Sequence, residues 1–480
     1  MVKRLGLLGV LAVVTACGGP DPIGLPPEKT ILAVVGGDGQ KGPAGAALPV
    51  ALRVSVNRGG VPVTGQLVTW TATVGGATIL QQTSSDAAGV ATAIVQLGPA
   101  GAQTVRASVD TANAFLALTS LAPSADPILV GEVSIPPQYG IHDTYVRAGL
   151  AFVCAWNTGV IIYDVGDGRK GGSPSTPIEI GRLVTSDNGV PGGPAVHNAW
   201  WFHNPVTGQK KYLFVGQEGP ATLFSSASGD LHVVDVSDLA HPVEVGSLKI
   251  TGAGVHNLWM DEAAQVLYAA YYNGGVVALD VSGTLPADLT SRIKAQVTPG
   301  GAGNTFVWGI MLANGALWVS DVVSGFWKLD PVTLATLGGG NNVSERWGAD
   351  LWVQGEYAYT GTWGGFPRNG TGYGDVVKIW RVTGGTPVLA DSIRFDGVRT
   401  VSDLEVSDDG TLLVVTTERL SAPGLSVFSL SDPARPQPAG AVVVPTGLHT
   451  GSLMRVGGRL YVFAAKNPAG PSLQVYDITR

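Results

Sequence analysis

Hydrophobic and polar positions alternate in short runs along nearly the whole chain. Between residues 29 and 122 the runs are ILAVV, VALRVSV, LVTWTA, ATIL, GVATAIVQL, QTVRASV and AFLALTS, each bounded by Gly, Pro, Asn, Asp or Ser. Period-two alternation between turn residues predicts strands, because successive side chains of a strand face opposite sides. Seven such strands predict a β-sandwich, with Trp70 as its core aromatic.

From residue 127 to 480 the pattern repeats. Each unit has a strand opened by a polar pair, a second strand such as LAFVCAW, KYLFVGQ, VLYAAYY, ALWVSDV, EYAYTGT, LLVVTTE or RLYVFAA, and a third such as GVIIYDV, LHVVDVS or LQVYDIT. An outer strand that follows Pro completes the unit. Seven units of roughly 50 residues, each with four short antiparallel strands, predict a seven-bladed propeller. The last unit stops at its third strand, LQVYDITR, whereas PILVGEVSI (127–135) matches the fourth strands PIEIGRLVT (177–185) and PVEVGSLKI (242–250). The N-terminal strand 127–135 is therefore expected to pair with the last blade and close the ring, which hides two sheet edges. Asp164, Asp235, Asp280, Asp330 and Asp477 follow third strands and are expected to accept turn hydrogen bonds.

The first residues follow a different logic. Lys3 and Arg4 precede a short apolar stretch, Leu5–Val14, which is too short to span a bilayer as a helix and reads as an export signal. Residues 18–28, GGPDPIGLPPE, read as a tether, and APSADP (122–127) as a linker. Charged residues make up only 14% of the chain and the net charge is −7, without a Lys/Arg cluster, which argues against nucleic acid or an anionic membrane surface as partner. The chain has two cysteines, Cys17 and Cys154; Cys154 lies in an apolar strand and reads as a buried small hydrophobe.

Three resemblances add to this reading. VTAC (14–17) resembles the lipobox of bacterial lipoproteins; this implies residues 1–17 are a signal peptide, with Cys17 the site of diacylglycerol attachment. Two acyl chains suffice for stable anchoring. Gly18 in place of Asp implies the outer membrane. The segment GGVPVTGQLVTWTATVGGATI…TSSDAAGVATAIVQLG…QTVRASV resembles bacterial Ig-like (Big-type) domains of surface proteins, which serve mostly as spacers or adhesive modules. The second half resembles the LVIVD-repeat propellers of bacterial exported proteins, on LHVVDVSDLAHPVEVGSL (231–248), GVVALDVSG (275–283) and LSVFSLSDPARPQPAGAV (425–442). That likeness implies fold and export, and carries no particular reaction.

Candidate chemistry lies in the polar pairs. Aligned on the second strands, one column holds His142, His197, His256, Trp308, Ala349, Ser402 and Gly451, and the next holds Asp143, Asn198, Asn257, Gly309, Asp350, Asp403 and Ser452. His449 stands two residues before its column. The chain has seven histidines, and four of them fall at or near this place, on units that become neighbours once a ring closes. The Asp/Asn column has a structural reading, since repeated polar groups fasten one blade to the next. The clustered imidazoles suit a divalent transition metal such as zinc or copper, or a polar ligand. The aromatic residues Trp156, Trp200, Trp259, Trp308, Trp347, Trp352 and Trp363 and the Gly-rich segment 362–375 are further candidates for a rim. G-x-S-x-G, H-E-x-x-H and a phosphate-binding Gly loop are absent from the sequence.

The expectation is an exported, lipid-anchored, monomeric all-β protein of the bacterial envelope: an Ig-like β-sandwich (29–122) followed by a closed seven-bladed β-propeller (127–480). The propeller is expected to bind a protein, peptide or carbohydrate at its channel mouth through His142, Asp143, His197, Asn198, His256, Asn257, Trp308, Asp350, Asp403 and His449. The rival reading is a zinc- or copper-dependent enzyme with His142, His197, His256 and His449 as ligands.

Overall fold

The computed structural model describes residues 28–480, apart from 46, 49, 122–125, 137–139, 188, 191–192, 366, 370–371, 419–422, 468 and 480. The expected export signal, Cys17 and nearly all of the tether lie outside the described residues. The chain divides into two compact units, Met1–Leu121 and Ala122–Arg480. It is all-β; one short 3-10 turn, Thr290–Arg292, is the only helical element among the described residues. None of their helices is long and apolar enough to cross a membrane.

The first unit has two sheets around one core. One contains Thr30–Gly36, Leu52–Arg58, Val61–Pro62, Thr78–Gln82 and Val90–Gln96; the other Lys41–Pro43, Thr69–Val74, Gly101–Val109 and Ala112–Leu121. Alternation decides what is buried: Leu52, Val54 and Val56 face Ala91, Ala93 and Val95 in the core, with Val105, Ala107, Leu116 and Trp70 from the second sheet. All seven expected strands are present. Two short ones, Lys41–Pro43 and Val61–Pro62, lie in stretches whose Gly and Pro content reads as turn.

The second unit contains seven four-stranded antiparallel sheets, the arrangement found in β-propellers. Six are made of consecutive strands, beginning with Asp143–Arg147, Val196–Trp201, Leu258–Asp261, Val307–Ala313, Trp347–Gln354 and Thr400–Val406. The seventh joins Gly451–Val456, Arg459–Lys466 and Ser472–Asp477 to the distant strand Ile128–Ser134, which pairs antiparallel with Ser472–Asp477 from Ile128↔Asp477 to Ser134↔Ser472. Glu132 fixes this pairing by accepting hydrogen bonds from Ser472 Oγ (2.7 Å) and Gln474 Nε2 (2.9 Å).

Second strands such as Leu150–Cys154 and Val266–Ala270 are buried at every residue. They are covered on both faces, so their sequence is continuously apolar rather than alternating. Leu150, Phe152 and Cys154 pack with Val196, Trp201 and Leu213 of the next sheet. Ile141, Ala151, Val153 and Ile161 of the first sheet pack with Phe463, Ala465, Leu473 and Val475 of the seventh. Hydrogen bonds tie these same two sheets: Thr144 Oγ1 donates to Phe463 O (2.6 Å), and Thr450 Oγ1 to His142 O (3.0 Å). The fourth sheet, whose sequence departs most from the repeat, is completed by Thr336–Gly340. Its glycines have a steric cause: a Cβ on Gly338 would lie 2.1 Å from Gly385 O.

The third strands end as expected. Asp235, Asp280 and Asp477 each accept the N–H of the residue two further on, and Asp330 those of Val332 and Thr333. Asp164 gathers four, from Gly166, Asp167, Lys170 and Gly172, which hold its carboxyl well below the usual range against the opposing effect of burial. Cys154 is a free, buried thiol.

Candidate functional site

Residues at or just before the first strand of each sheet line one cavity, of about 350 Å³. Each of the ten residues read as site candidates from the sequence lines it: His142, Asp143, His197, Asn198, His256, Asn257, Trp308, Asp350, Asp403 and His449. Local backbone irregularity helps aim them. The ladder register shifts between Val196 and Asn198, Val307 and Gly309, Gly348 and Leu351, and Val401 and Asp403. His197, Trp308 and Ser402 are thus the bulged residues of their strands, and a bulge redirects a side chain without ending the sheet.

One register expectation is corrected. His449 N–H donates to Ala465 O (2.8 Å) as His142 N–H does to Cys154 O (2.8 Å) and His256 N–H to Ala270 O (2.7 Å). His449 therefore belongs in the histidine column itself, and Thr450 beside it, in place of Gly451 and Ser452. The hairpin that follows runs two residue pairs further than that of the first sheet: Met454↔Tyr461 is the equivalent of the closing pair Arg147↔Leu150, and Arg455↔Leu460 and Val456↔Arg459 lie beyond it.

The four imidazoles converge. Ring centroids lie 3.7 Å apart for His142–His197, 4.0 Å for His142–His449 and 4.2 Å for His197–His256. Glu218 joins them, its Oε2 3.5 Å from His197 Nε2 and 3.7 Å from His142 Nε2. Tyr272 Oη donates to the other oxygen of Glu218. Outer contacts orient two of the rings: His449 Nδ1 meets Glu418 Oε1, and His256 Nδ1 meets Trp308 O at 3.0 Å. Both arrangements direct Nε2 inward. His142 Nε2 and His449 Nε2 stand only 2.6 Å apart. Both nitrogens of His197 and Nε2 of His256 are buried without a hydrogen-bond partner.

Electrostatics follow from this crowding. Burial, and then the neighbouring imidazoles, hold His142 and His197 well below the usual histidine range. Burial brings His256 down to about 3. His449 goes the other way, because Glu418 beside it outweighs its burial. Burial raises Glu218. Three imidazoles shifted down and one shifted up thus stand around the Glu218 carboxyl group.

Beneath them lie Asp143, Asn198, Asn257, Asp350 and Asp403, and then Tyr145, Trp200, Trp259, Trp352 and Glu405. Much of this acidic layer fastens sheets together. Asp403 Oδ2 accepts Gly451 N–H (2.9 Å) and Glu405 Oε2 accepts Leu453 N–H (3.0 Å), both across to the seventh sheet. Burial and mutual repulsion raise Asp143 to about 7 and Asp350 well above the usual range, and Asp350 shares a hydrogen bond with Asp403. Trp200 stacks between Tyr145 and Trp259, each 5.2 Å away, so these aromatics form cavity wall and not only a surface rim.

The sequence reading missed Glu218, Tyr272 and Glu418. They had a legible signal. Trp156, Glu218, Tyr272, Trp363, Glu418 and Asn467 each stand six residues after the equivalent second-strand residues Leu150, Tyr212, Val266, Tyr357, Leu412 and Tyr461. They form a second column at the exit of those strands, on the same end as the histidines. Alignment of first-strand pairs alone does not reach it.

Two segments, residues 226–249 and 347–366, match the family model of the LVIVD repeat. The chain therefore carries LVIVD repeats, a family typical of β-propellers. The first match covers third and fourth strands of the second sheet, where the sequence resemblance was drawn. The second covers the first two strands of the fifth sheet, which lies in the half that the resemblance covers but outside the segments quoted for it. No curated protein matches the chain.

Proposed function

We propose that the cavity is a transition-metal centre in which His142, His197, His256 and His449, with Glu218, hold a divalent ion such as zinc or copper. The observation that carries this is the cluster of buried imidazole nitrogens that lack partners and face one carboxylate. A purely structural cluster would leave these groups desolvated and unmatched, at a cost of about 1–3 kcal/mol each. An ion between His142, His197 and Glu218 accounts for the partnerless His197 nitrogen that faces them. At Zn–N lengths of 2.0–2.1 Å, neighbouring ligand atoms stand about 3.3 Å apart, and the potential ligand atoms of His142, His197 and Glu218 all lie within 4.8 Å of one another. Glu418 and the Trp308 carbonyl hold outer nitrogens as such partners do at metal sites. The ion would supply Lewis acidity at the channel mouth; this chain's residues orient the ligands and exclude water.

The frame proposed for this centre is a closed seven-bladed propeller that follows an Ig-like sandwich, on a lipid-anchored protein of the bacterial envelope. Support for closure comes from the pairing of Ile128–Ser134 with the last sheet and from the core shared by the first and seventh sheets. Support for export and anchoring comes from the Lys3/Arg4 leader and VTAC.

Elemental analysis of protein purified without added metal tests the centre. Near-stoichiometric zinc or copper, lost in His197→Ala/His256→Ala, is the expected result. Metal-free protein whose melting temperature ignores chelator would overturn it.

A further inference from the structure

A second cavity, of about 640 Å³, adjoins the imidazole cluster and shares Trp156, Glu218, Trp308 and Trp363 with it. Its remaining walls include Tyr272, Phe306 and Leu223. Tyr272 and Phe306 pack at 4.3 Å between centroids, and Trp308 and Trp363 at 5.9 Å. Among the described residues of the lining, Glu218 is the only ionisable one apart from the Tyr272 phenol, and that phenol already donates to it. Asn157 Oδ1 accepts Ala195 N–H. The walls therefore offer a guest broad aromatic faces and one anionic corner, placed where the metal reading puts the ion.

We propose that this chamber seats an uncharged, ring-bearing apolar small molecule, with its one polar group directed to the Glu218 corner. The proposal rests on the metal reading above and names the class of ligand for that site. The volume is within the ordinary range of small-molecule pockets. Aromatic walls reward flat apolar faces through stacking and edge contacts. A sugar or an amino acid would leave several hydroxyl or charged groups without partners along the same walls, at about 1–3 kcal/mol per group. The chamber therefore selects against the carbohydrate or peptide that the aromatic residues suggest from sequence alone.

The test uses the full chain loaded with cobalt(II), its metal content measured first. Protein that takes up neither cobalt nor zinc overturns the metal reading before any probe is added. On loaded protein, 1-naphthol is titrated against glucose and glutamate, followed by tryptophan fluorescence and by the cobalt visible spectrum. The expected result is saturable 1-naphthol binding with a change in the cobalt bands, and neither response with glucose or glutamate. Leu223→Asp should weaken 1-naphthol at least tenfold at unchanged metal content. Ala221→Trp, at an exposed position of the same wall, should do likewise by filling the space. Equal binding of glucose, unchanged 1-naphthol affinity in both variants, or cobalt bands indifferent to saturation overturns the proposal while leaving the metal centre standing.

Discussion

Glu418 makes the most exposed prediction, because it touches no ion and should still control one. Its Oε1 meets His449 Nδ1, and burial would otherwise keep that ring neutral and poorly oriented. A carboxylate on the outer nitrogen fixes the tautomer, leaves Nε2 as the inward lone pair and makes it a better donor. Removing such a partner typically costs ten- to a hundredfold in metal affinity, or about 1.4–2.7 kcal/mol. Glu418→Ala should show this loss in a chelator competition for zinc at neutral pH. Glu418→Gln, which can still accept the Nδ1–H bond without the charge, should fall between Ala and the unaltered protein. Glu405→Gln is the control: it lines the same cavity but holds Leu453 N–H, so stability should drop and zinc affinity hold. If Glu418→Ala binds zinc within threefold of the unaltered protein, or if Glu405→Gln loses affinity as severely, the assignment of Glu418 to His449 as a metal ligand is wrong.

Other consequences are independent of any metal. Asp164→Ala should destabilise the second unit by about 2–4 kcal/mol in urea unfolding, since four backbone N–H groups lose a charged acceptor. Because the Asp164 carboxyl titrates below its unfolded value, its contribution is complete above the ordinary carboxylate range and erodes as pH falls through the folded value. The stability gap between the unaltered protein and Asp164→Asn should therefore narrow below about pH 4. Glu132→Ala, which releases Ser472 and Gln474, should lower the melting temperature and speed proteolysis ahead of residue 135, with a cost of about 1–3 kcal/mol. Cys17→Ser should free the protein from membranes; retention there would refute the lipobox reading. In that same variant Cys154, buried and with its thiol pushed up, should react with an aromatic disulfide reagent only after unfolding.

The repeat was legible because strand chemistry is local. Fully buried second strands such as LAFVC and VLYAA announce themselves as apolar runs, and Asp residues mark where third strands turn. The pairing of 127–135 with the end of the chain could also be anticipated, by counting strands in the last unit. The site was legible in part. The histidine column follows from repeat register, and the structure brings its four members together. His449 was placed two residues off because the first hairpin of its sheet is two residue pairs longer than that of the first sheet, which a count back from the hairpin turn does not reveal. Glu218 and Glu418 escaped because one stands a step past an apolar strand and the other at the last position of one, where a carboxylate is ordinarily solvated. Only the convergence of sheets turns that position inward.

His142 and His449 are 307 residues apart in sequence, yet their Nε2 atoms nearly touch. Synthesis from the N-terminus therefore yields His142, His197 and His256 before His449. The cluster can be complete only after His449 has been made and the seventh sheet has formed. On the proposed metal reading, an ion held by all four would be drawn from the surroundings in which that sheet forms, and those surroundings would set the choice among competing metals.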